Sequence, residues 1–497
     1  MKYISTRGAE EISGAEAIIK GICEDGGLYV PSSFPQLNES DFERFAQMEY
    51  KDVAADIIGK YLDDFDKEEL SKACESAYAR FYGEPAPITE IDDATYVLEL
   101  WHGPTCAFKD IALTLLPHLL NISKKMMKVE TKTLILVATS GDTGKAALEG
   151  FRDVDKTAVC VFYPNEGVSK LQQLQMRSQE GSNVFVSAVN GNFDDTQTAV
   201  KKIFLDKDIK AELTDKGYEL SSANSINFGR LVPQIVYYIT SYVKLIEKGA
   251  IEYGDKINFC VPSGNFGDIL AGYYAYRMGL PINKLICASN KNNILCDFIN
   301  TGKYDVNREF YKTMSPSMDI LVSSNLERLL FELSGRNAEI IRDRMNKLKT
   351  EGAYEISKKE LLDMQELFAA GWASEGETQA AIANNLEVNG YLIDTHTSVG
   401  SVVYGNYVTE TGDTTPTVIL STASPYKFTA DILKALDVKT TDDLFGAVKK
   451  LHSVSGVEIP VPISDLKTKP VRFESVCDKD EMADSVIAFA GRLSDGR

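Results

Sequence analysis

From residue 96 onward the chain alternates short, uninterrupted apolar runs with segments of helical periodicity, and this alternation restricts the fold more than any other feature. The runs occupy residues 96–100, 133–138, 158–163, 184–189, 257–261, 285–288 and 417–421. A strand with one wet face alternates apolar and polar residues, whereas a strand covered by helices on both faces reads as a continuous apolar stretch. Strands of the second kind, separated by helices, predict an α/β protein with open, mostly parallel sheets. The first 95 residues have few such runs and carry helical periodicity at 15–22 and 68–81, so a mainly helical N-terminal unit is expected over 1–95. Its exit is the turn-rich stretch Tyr82-Gly83-Glu84-Pro85-Ala86-Pro87. The rest of the 497 residues exceeds one ordinary domain. It is expected to form a smaller α/β unit at 96–250 and a larger one at 251–497, with a charge-rich helical stretch at 332–371 and a helix opened by a Thr/Asp cap signal at 441–451.

Composition narrows the function classes. An apolar fraction of 44% with 25% charged residues is that of a folded, soluble chain. A net charge of −19 argues against nucleic-acid or anionic-membrane partners, which select for clustered Lys and Arg. It leaves room for a small anionic substrate, since a cleft can be locally positive inside an acidic shell. The eight cysteines are scattered without C-x-x-C spacing and read as buried free thiols. With no secretory pattern at 1–20 and no apolar run approaching about 18 residues, a cytoplasmic location is expected. The four histidines, His102, His118, His396 and His452, show no metal-ligand spacing, and no metal site is expected.

Chemistry is concentrated in loops that follow strands. Ser263-Gly264-Asn265-Phe266-Gly267-Asp268 joins the run at 257–261 to a helical pattern. Such a turn lets successive backbone N–H groups converge on an anion at a helix N-terminus, with phosphate the natural ligand. Thr139-Ser140-Gly141-Asp142-Thr143-Gly144 is placed in the same way after the run at 133–138. Trp101-His102-Gly103-Pro104-Thr105-Cys106-Ala107-Phe108-Lys109-Asp110 carries Lys109 to the start of a helical pattern, where the helix dipole should depress its pKa and suit it to imine formation. Ser221-Ser222-Ala223-Asn224-Ser225-Ile226-Asn227-Phe228-Gly229-Arg230 offers hydroxyls, amides and a guanidinium that can bind carboxylate or phosphate. Ser421-Thr422-Ala423-Ser424-Pro425-Tyr426-Lys427-Phe428 is a hydroxyl-bearing strand end. Singly, each has a structural alternative: a tight turn, a helix cap or a solvated lysine.

In combination and order, these segments resemble the threonine synthases, fold-type-II pyridoxal-phosphate enzymes related to tryptophan synthase β and the serine/threonine dehydratases. The likeness spans nearly the whole chain. It takes in Tyr3-Ile4-Ser5-Thr6-Arg7-Gly8, Gly26-Gly27-Leu28-Tyr29-Val30-Pro31, Gly191-Asn192-Phe193-Asp194-Asp195, Ser315-Pro316-Ser317-Met318-Asp319-Ile320 and Ser324-Asn325-Leu326-Glu327-Arg328. The resemblance implies that Lys109 is the Schiff-base lysine and that Gly264, Asn265, Phe266, Gly267 and Asp268 hold the phosphate of pyridoxal 5'-phosphate. It places Thr422 at the pyridine nitrogen and Asp142 near the cofactor's 3′ oxygen. Thr139, Ser140 and Thr143 fall where the family binds the substrate carboxylate, and Ser225 and Arg230 where relatives bind the substrate phosphate. Phe228-Gly229 departs from the Pro-containing sequence of more distant relatives.

The implied reaction converts O-phospho-L-homoserine and water into L-threonine and phosphate, with Lys109 as proton shuttle for most steps. His102 is read as structural and given no catalytic role. Two rival readings share these motifs: a threonine-synthase-like phospho-lyase releasing 2-oxobutyrate, and a catalytically silent protein of the same fold. A monomer or homodimer is expected, with a small-molecule substrate as partner.

Overall fold

The computed structural model describes residues 1–8, 11–139, 141–166, 168–439 and 443–494. Two sheets dominate it. The larger has six strands in the order Phe368–Trp372, Ile282–Ser289, Ile257–Pro262, Thr417–Ser421, Thr95–Glu99 and Ile88–Asp92. Its neighbours run parallel except the last pair. The smaller has five strands, all parallel, in the order Val476–Asp478, Val184–Asn190, Thr157–Pro164, Lys132–Ala138 and Tyr218–Ser221. Every residue of Thr157–Pro164, Ile257–Pro262 and Thr417–Ser421 is buried, which is why these segments read as unbroken apolar runs. All seven predicted strands are present, so the α/β class with parallel-rich sheets holds.

The N-terminal region is helix-rich, with helices Gly14–Lys20, Glu39–Phe45, Tyr50–Tyr61 and Lys67–Tyr78. It also carries a three-stranded antiparallel sheet of Ile12–Ser13, Lys2–Ser5 and Tyr29–Pro31, strands too short to leave a periodic signal.

Sheet membership cuts across the chain divisions expected at 95 and 250. Thr95–Glu99 pairs with Thr417–Ser421 in the larger sheet, Thr417 lying opposite Thr95. At the other terminus, Val476–Asp478 adds a strand to the smaller sheet, and Met482–Ser494 packs near it. Strand alternation identifies strands but carries no information about partners more than 300 residues away in the chain. A second departure lies at 332–371: helices Ala338–Glu351 and Lys358–Leu367 are there, but the stretch ends in the edge strand Phe368–Trp372. That strand is short and its middle is Ala-Ala-Gly, so it lacks the β-branched residues that mark strands. The helix expected at 441–451 begins at Leu444; Thr441 and Asp442 lie outside the described residues.

All eight cysteines are buried and unpaired. No described helix is long and apolar enough to cross a membrane. Among the described residues no three or more His, Cys, Asp or Glu side chains are grouped to hold a metal ion.

Candidate active site

Each predicted chemical segment leaves the C-terminal end of a strand: the lysine loop after Thr95–Glu99, the Thr139 loop after Lys132–Ala138, the Ser225 segment after Tyr218–Ser221, the Gly264 loop after Ile257–Pro262, and Thr422 after Thr417–Ser421. In parallel α/β sheets this is the edge where ligands bind.

Lys109 opens the short helix Lys109–Leu113. Its amine is held below the ordinary lysine value, first by burial and further by the charges of Arg230 and Lys427, against the pull of Asp142 and Asp268. A depressed pKa was expected from a helix dipole; desolvation is the larger cause, and the helix is only five residues long. The loop before it is locked at both ends. The N–H and hydroxyl of Thr105 donate to the Asp110 carboxylate at 2.8 and 2.6 Å, while the Phe108 N–H donates to the Thr422 carbonyl at 2.8 Å. Asp110 is fully buried and its pKa rises to about 6. Thr422 is therefore tied by its backbone to the residue preceding Lys109.

Asp142 begins the helix Asp142–Phe151 and is buried beside a residue to which the sequence assigned no role. Lys427, 1% exposed, pairs with its carboxylate at 2.9 Å and also donates to the Thr105 carbonyl at 2.7 Å. The Gln172 amide donates to the same Asp142 oxygen at 2.8 Å. Burial alone would raise the Asp142 pKa, but Lys427 and Lys109 outweigh it and keep the group ionised. The neighbouring Thr139 requires a correction. Its hydroxyl accepts the N–H groups of Gly141 and Gly144, both at 3.0 Å, and donates to the Gly141 carbonyl at 3.2 Å. That fills its hydrogen-bonding capacity, so Thr139 shapes the turn rather than offering its side chain to a substrate. Thr143 remains partly exposed, and Ser140 lies outside the described residues.

The Gly264 loop has the backbone of an anion cradle. Phe266 adopts the left-handed conformation at φ 62° just before the helix Gly267–Arg277. Among the described residues no protein acceptor takes the N–H groups of Gly264, Asn265, Phe266 or Gly267. A Cβ on Gly264 would stand 2.6 Å from the Ser317 carbonyl oxygen, so only glycine fits there. The segment 317–325 backs the loop: Ser323 Oγ donates to the Gly264 carbonyl at 2.9 Å, and the Asn325 amide donates to the Asn265 carbonyl at 3.1 Å and to Ser225 Oγ at 3.2 Å. Asn325 thus joins two candidate anion-binding segments.

Asp268 is buried, and desolvation raises its pKa from 3.8 to about 7. A carboxyl raised in the folded state contributes stability that is complete below its unfolded value and is lost as pH rises through its folded value. The unfolding free energy of the cofactor-free protein is therefore expected to fall between pH 4 and pH 7 more steeply than that of Asp268→Asn, by at most about 4 kcal/mol. Parallel slopes in urea titrations of the two proteins would refute this.

Arg230, 4% exposed, lies in the first turn of Phe228–Glu247. One terminal nitrogen donates to the Ala223 carbonyl at 2.8 Å, but Nε has no partner, and among the described residues it forms no ion pair. Burial pushes its pKa down to about 10. A buried guanidinium without a carboxylate is costly unless an anion completes it.

A fold with this edge is that of a two-sheet α/β enzyme with one site served by both sheets. Comparison with known proteins makes the assignment specific. The family described as "Threonine synthase N terminus" matches residues 2–78, and that described as "Threonine synthase, C-terminal" matches residues 397–487. Threonine synthase from Pseudomonas aeruginosa is 37% identical over 438 residues, covering 88% of this chain and 90% of that protein. The crystal structure of PLP-bound threonine synthase from Brucella melitensis is 37% identical, covers 99% of both chains and superposes with a TM-score of 0.88. The chain belongs to the threonine synthase family. It is also 40% identical over 441 residues to threonine synthase-like 1 from Homo sapiens, covering 86% of this chain but only 58% of that longer protein.

Proposed function

We propose that this chain is a pyridoxal-phosphate-dependent lyase, a threonine synthase converting O-phospho-L-homoserine and water to L-threonine and inorganic phosphate. The observation that carries the reading is an amine of lowered pKa, Lys109, that feels the charge of a buried guanidinium without an ion-pair partner among the described residues, Arg230. One group suits an aldehyde and the other a phosphate ester.

The residues fit the cofactor. Lys109 would hold its aldehyde carbon, and the free N–H groups of 264–267 would hold its phosphate. Asp268, its pKa raised to about 7, adds little repulsion toward that phosphate. Thr422 would serve the pyridine nitrogen, and the Asp142–Lys427 pair would serve the 3′ oxygen. When bound, pyridoxal phosphate supplies an aldehyde for the substrate amine and a conjugated ring that accepts electrons from Cα. The free Lys109 amine would remove the Cα proton and return protons at later steps, a role its lowered pKa suits. Arg230 and Ser225 would hold the departing phosphate, while Thr143 would orient the carboxylate.

Arg230→Met is expected to raise KM for O-phospho-L-homoserine by about 10- to 150-fold, the range for a lost charge-assisted hydrogen bond. Steady-state kinetics checks this, and an unchanged KM removes Arg230 from the phosphate site. The function itself is tested by incubating the protein with pyridoxal phosphate and O-phospho-L-homoserine, then quantifying threonine, phosphate and 2-oxobutyrate. Threonine and phosphate in equal amounts support the reading; 2-oxobutyrate without threonine replaces it with the phospho-lyase.

A further inference from the structure

The Lys109 amine touches a serine held in place by a buried histidine–aspartate pair that the reaction above does not use. Lys109 Nζ donates to Ser317 Oγ at 3.3 Å, the one hydrogen bond the described residues offer it. The Ser317 N–H in turn donates to Nε2 of His396 at 3.2 Å. Since Nε2 accepts, the ring proton belongs on Nδ1, where Asp394 Oδ1 accepts it at 2.9 Å. His396 is 2% exposed and Asp394 wholly buried. The carboxylate also accepts the N–H groups of His396 and Thr397 at 2.8 and 3.3 Å, and it binds the Thr397 hydroxyl, which lies 3.1 Å from Ser421 Oγ. The chain of contacts runs from the residue next to Thr422, through the start of the helix Thr395–Thr411, to the lysine nitrogen.

This arrangement is more than a loop fastening. Ser317 contacts both the lysine and the Gly264 cradle, with its carbonyl oxygen 2.6 Å from where a Gly264 Cβ would stand and its hydroxyl on the amine. We propose that Asp394 and His396 are positioning residues that hold Ser317 so that its hydroxyl accepts a hydrogen bond from the neutral Lys109 amine and turns the nitrogen lone pair toward the cofactor aldehyde. The proposal rests on the reading of Lys109 as the cofactor-bearing lysine. In forming that linkage the amine nitrogen attacks the aldehyde carbon, a C=N bond replaces C=O, and the oxygen leaves as water with the two amine protons. No oxidant or reductant takes part. Misalignment of the attacking atom by about 1 Å is enough to slow such a step about 100-fold.

The test mixes cofactor-free, full-length protein with pyridoxal phosphate, quenches samples with borohydride at intervals, and counts the mass increment on the Lys109 peptide; kcat and KM are then measured on loaded enzyme. Ser317→Ala and His396→Ala are each expected to slow Lys109 labelling about tenfold or more, with KM for O-phospho-L-homoserine within about threefold of wild type. His396→Gln, whose side-chain carbonyl can still accept the Ser317 N–H, is expected to restore most of the rate. Ser317→Ala removes one hydroxyl and leaves the backbone bond to His396, so the test does not depend on a buried histidine variant folding. Labelling within about twofold of wild type in both alanine variants, or His396→Gln as slow as His396→Ala, overturns the proposal. Wild-type protein that takes its label on another lysine overturns the cofactor reading, and this proposal with it.

Discussion

Lys109→Ala is expected to lower kcat for threonine formation by at least about 10³-fold, because on the roles proposed for Lys109 the variant loses both covalent attachment of the cofactor and the base at Cα. The fold should survive the change. Lys109 as a residue keeps some solvent exposure although its amine is desolvated, forms no salt bridge among the described residues, and makes a single side-chain hydrogen bond, to Ser317. Its desolvated amine is a destabilising element in the free protein, so alanine should leave the thermal midpoint unchanged or raise it slightly. Stopped-flow kinetics with a parallel melting curve separates the two effects. Loss of turnover accompanied by a collapsed melting transition would count against a specific role for this lysine.

The local pattern around Lys109 was visible in the sequence while its spatial neighbours were not, a difference that follows from distance along the chain; the role proposed for Lys109 came from the family likeness. Its position after an apolar strand and a Gly-Pro turn is a local pattern of ten residues. The continuous apolar strands were local as well, since burial on both sheet faces acts on each segment separately. Lys427, by contrast, reaches Asp142 across 285 residues and the Thr105 carbonyl across 322. Ser317 reaches Lys109 across 208. These contacts exist because two sheets bring their strand ends to one place, and nothing in the residues flanking 317, 396 or 427 announces it. The stretches around Ser317 and Asn325 were visible only as part of a family likeness. The helix dipole was the wrong reason for a right direction at Lys109: a five-residue helix contributes less than desolvation does. Thr139 shows the converse, a hydroxyl in a suggestive motif whose hydrogen-bonding capacity the turn itself consumes.

Lys427→Met is expected to destabilise the cofactor-free protein by about 3–5 kcal/mol, the range for removing one partner of a buried ion pair. The Lys427 side chain is 0% exposed and that of Asp142 3%, so water cannot replace the lost cation. Gln172 would remain as the carboxylate's donor, which softens the loss without neutralising the charge. The Asp142 pKa should rise, and the stability deficit should shrink as pH falls toward values that protonate it. Asp142→Asn combined with Lys427→Met should recover part of the deficit, because the uncompensated charge is then gone. Chemical denaturation of wild type and the two variants between pH 4 and pH 8 checks the sign and the rescue. A single variant as stable as wild type at pH 8 would mean that the pair is not closed in solution.

On the proposed function, phosphate leaves one carbon of the substrate and water enters at another. This is tested most directly by running the reaction in ¹⁸O-labelled water. The account predicts one ¹⁸O atom in the hydroxyl group of L-threonine and none in the inorganic phosphate, since the carbon–oxygen bond of the ester is the one broken. Label in the phosphate with homoserine as the organic product, or 2-oxobutyrate with no threonine at any time point, would contradict it.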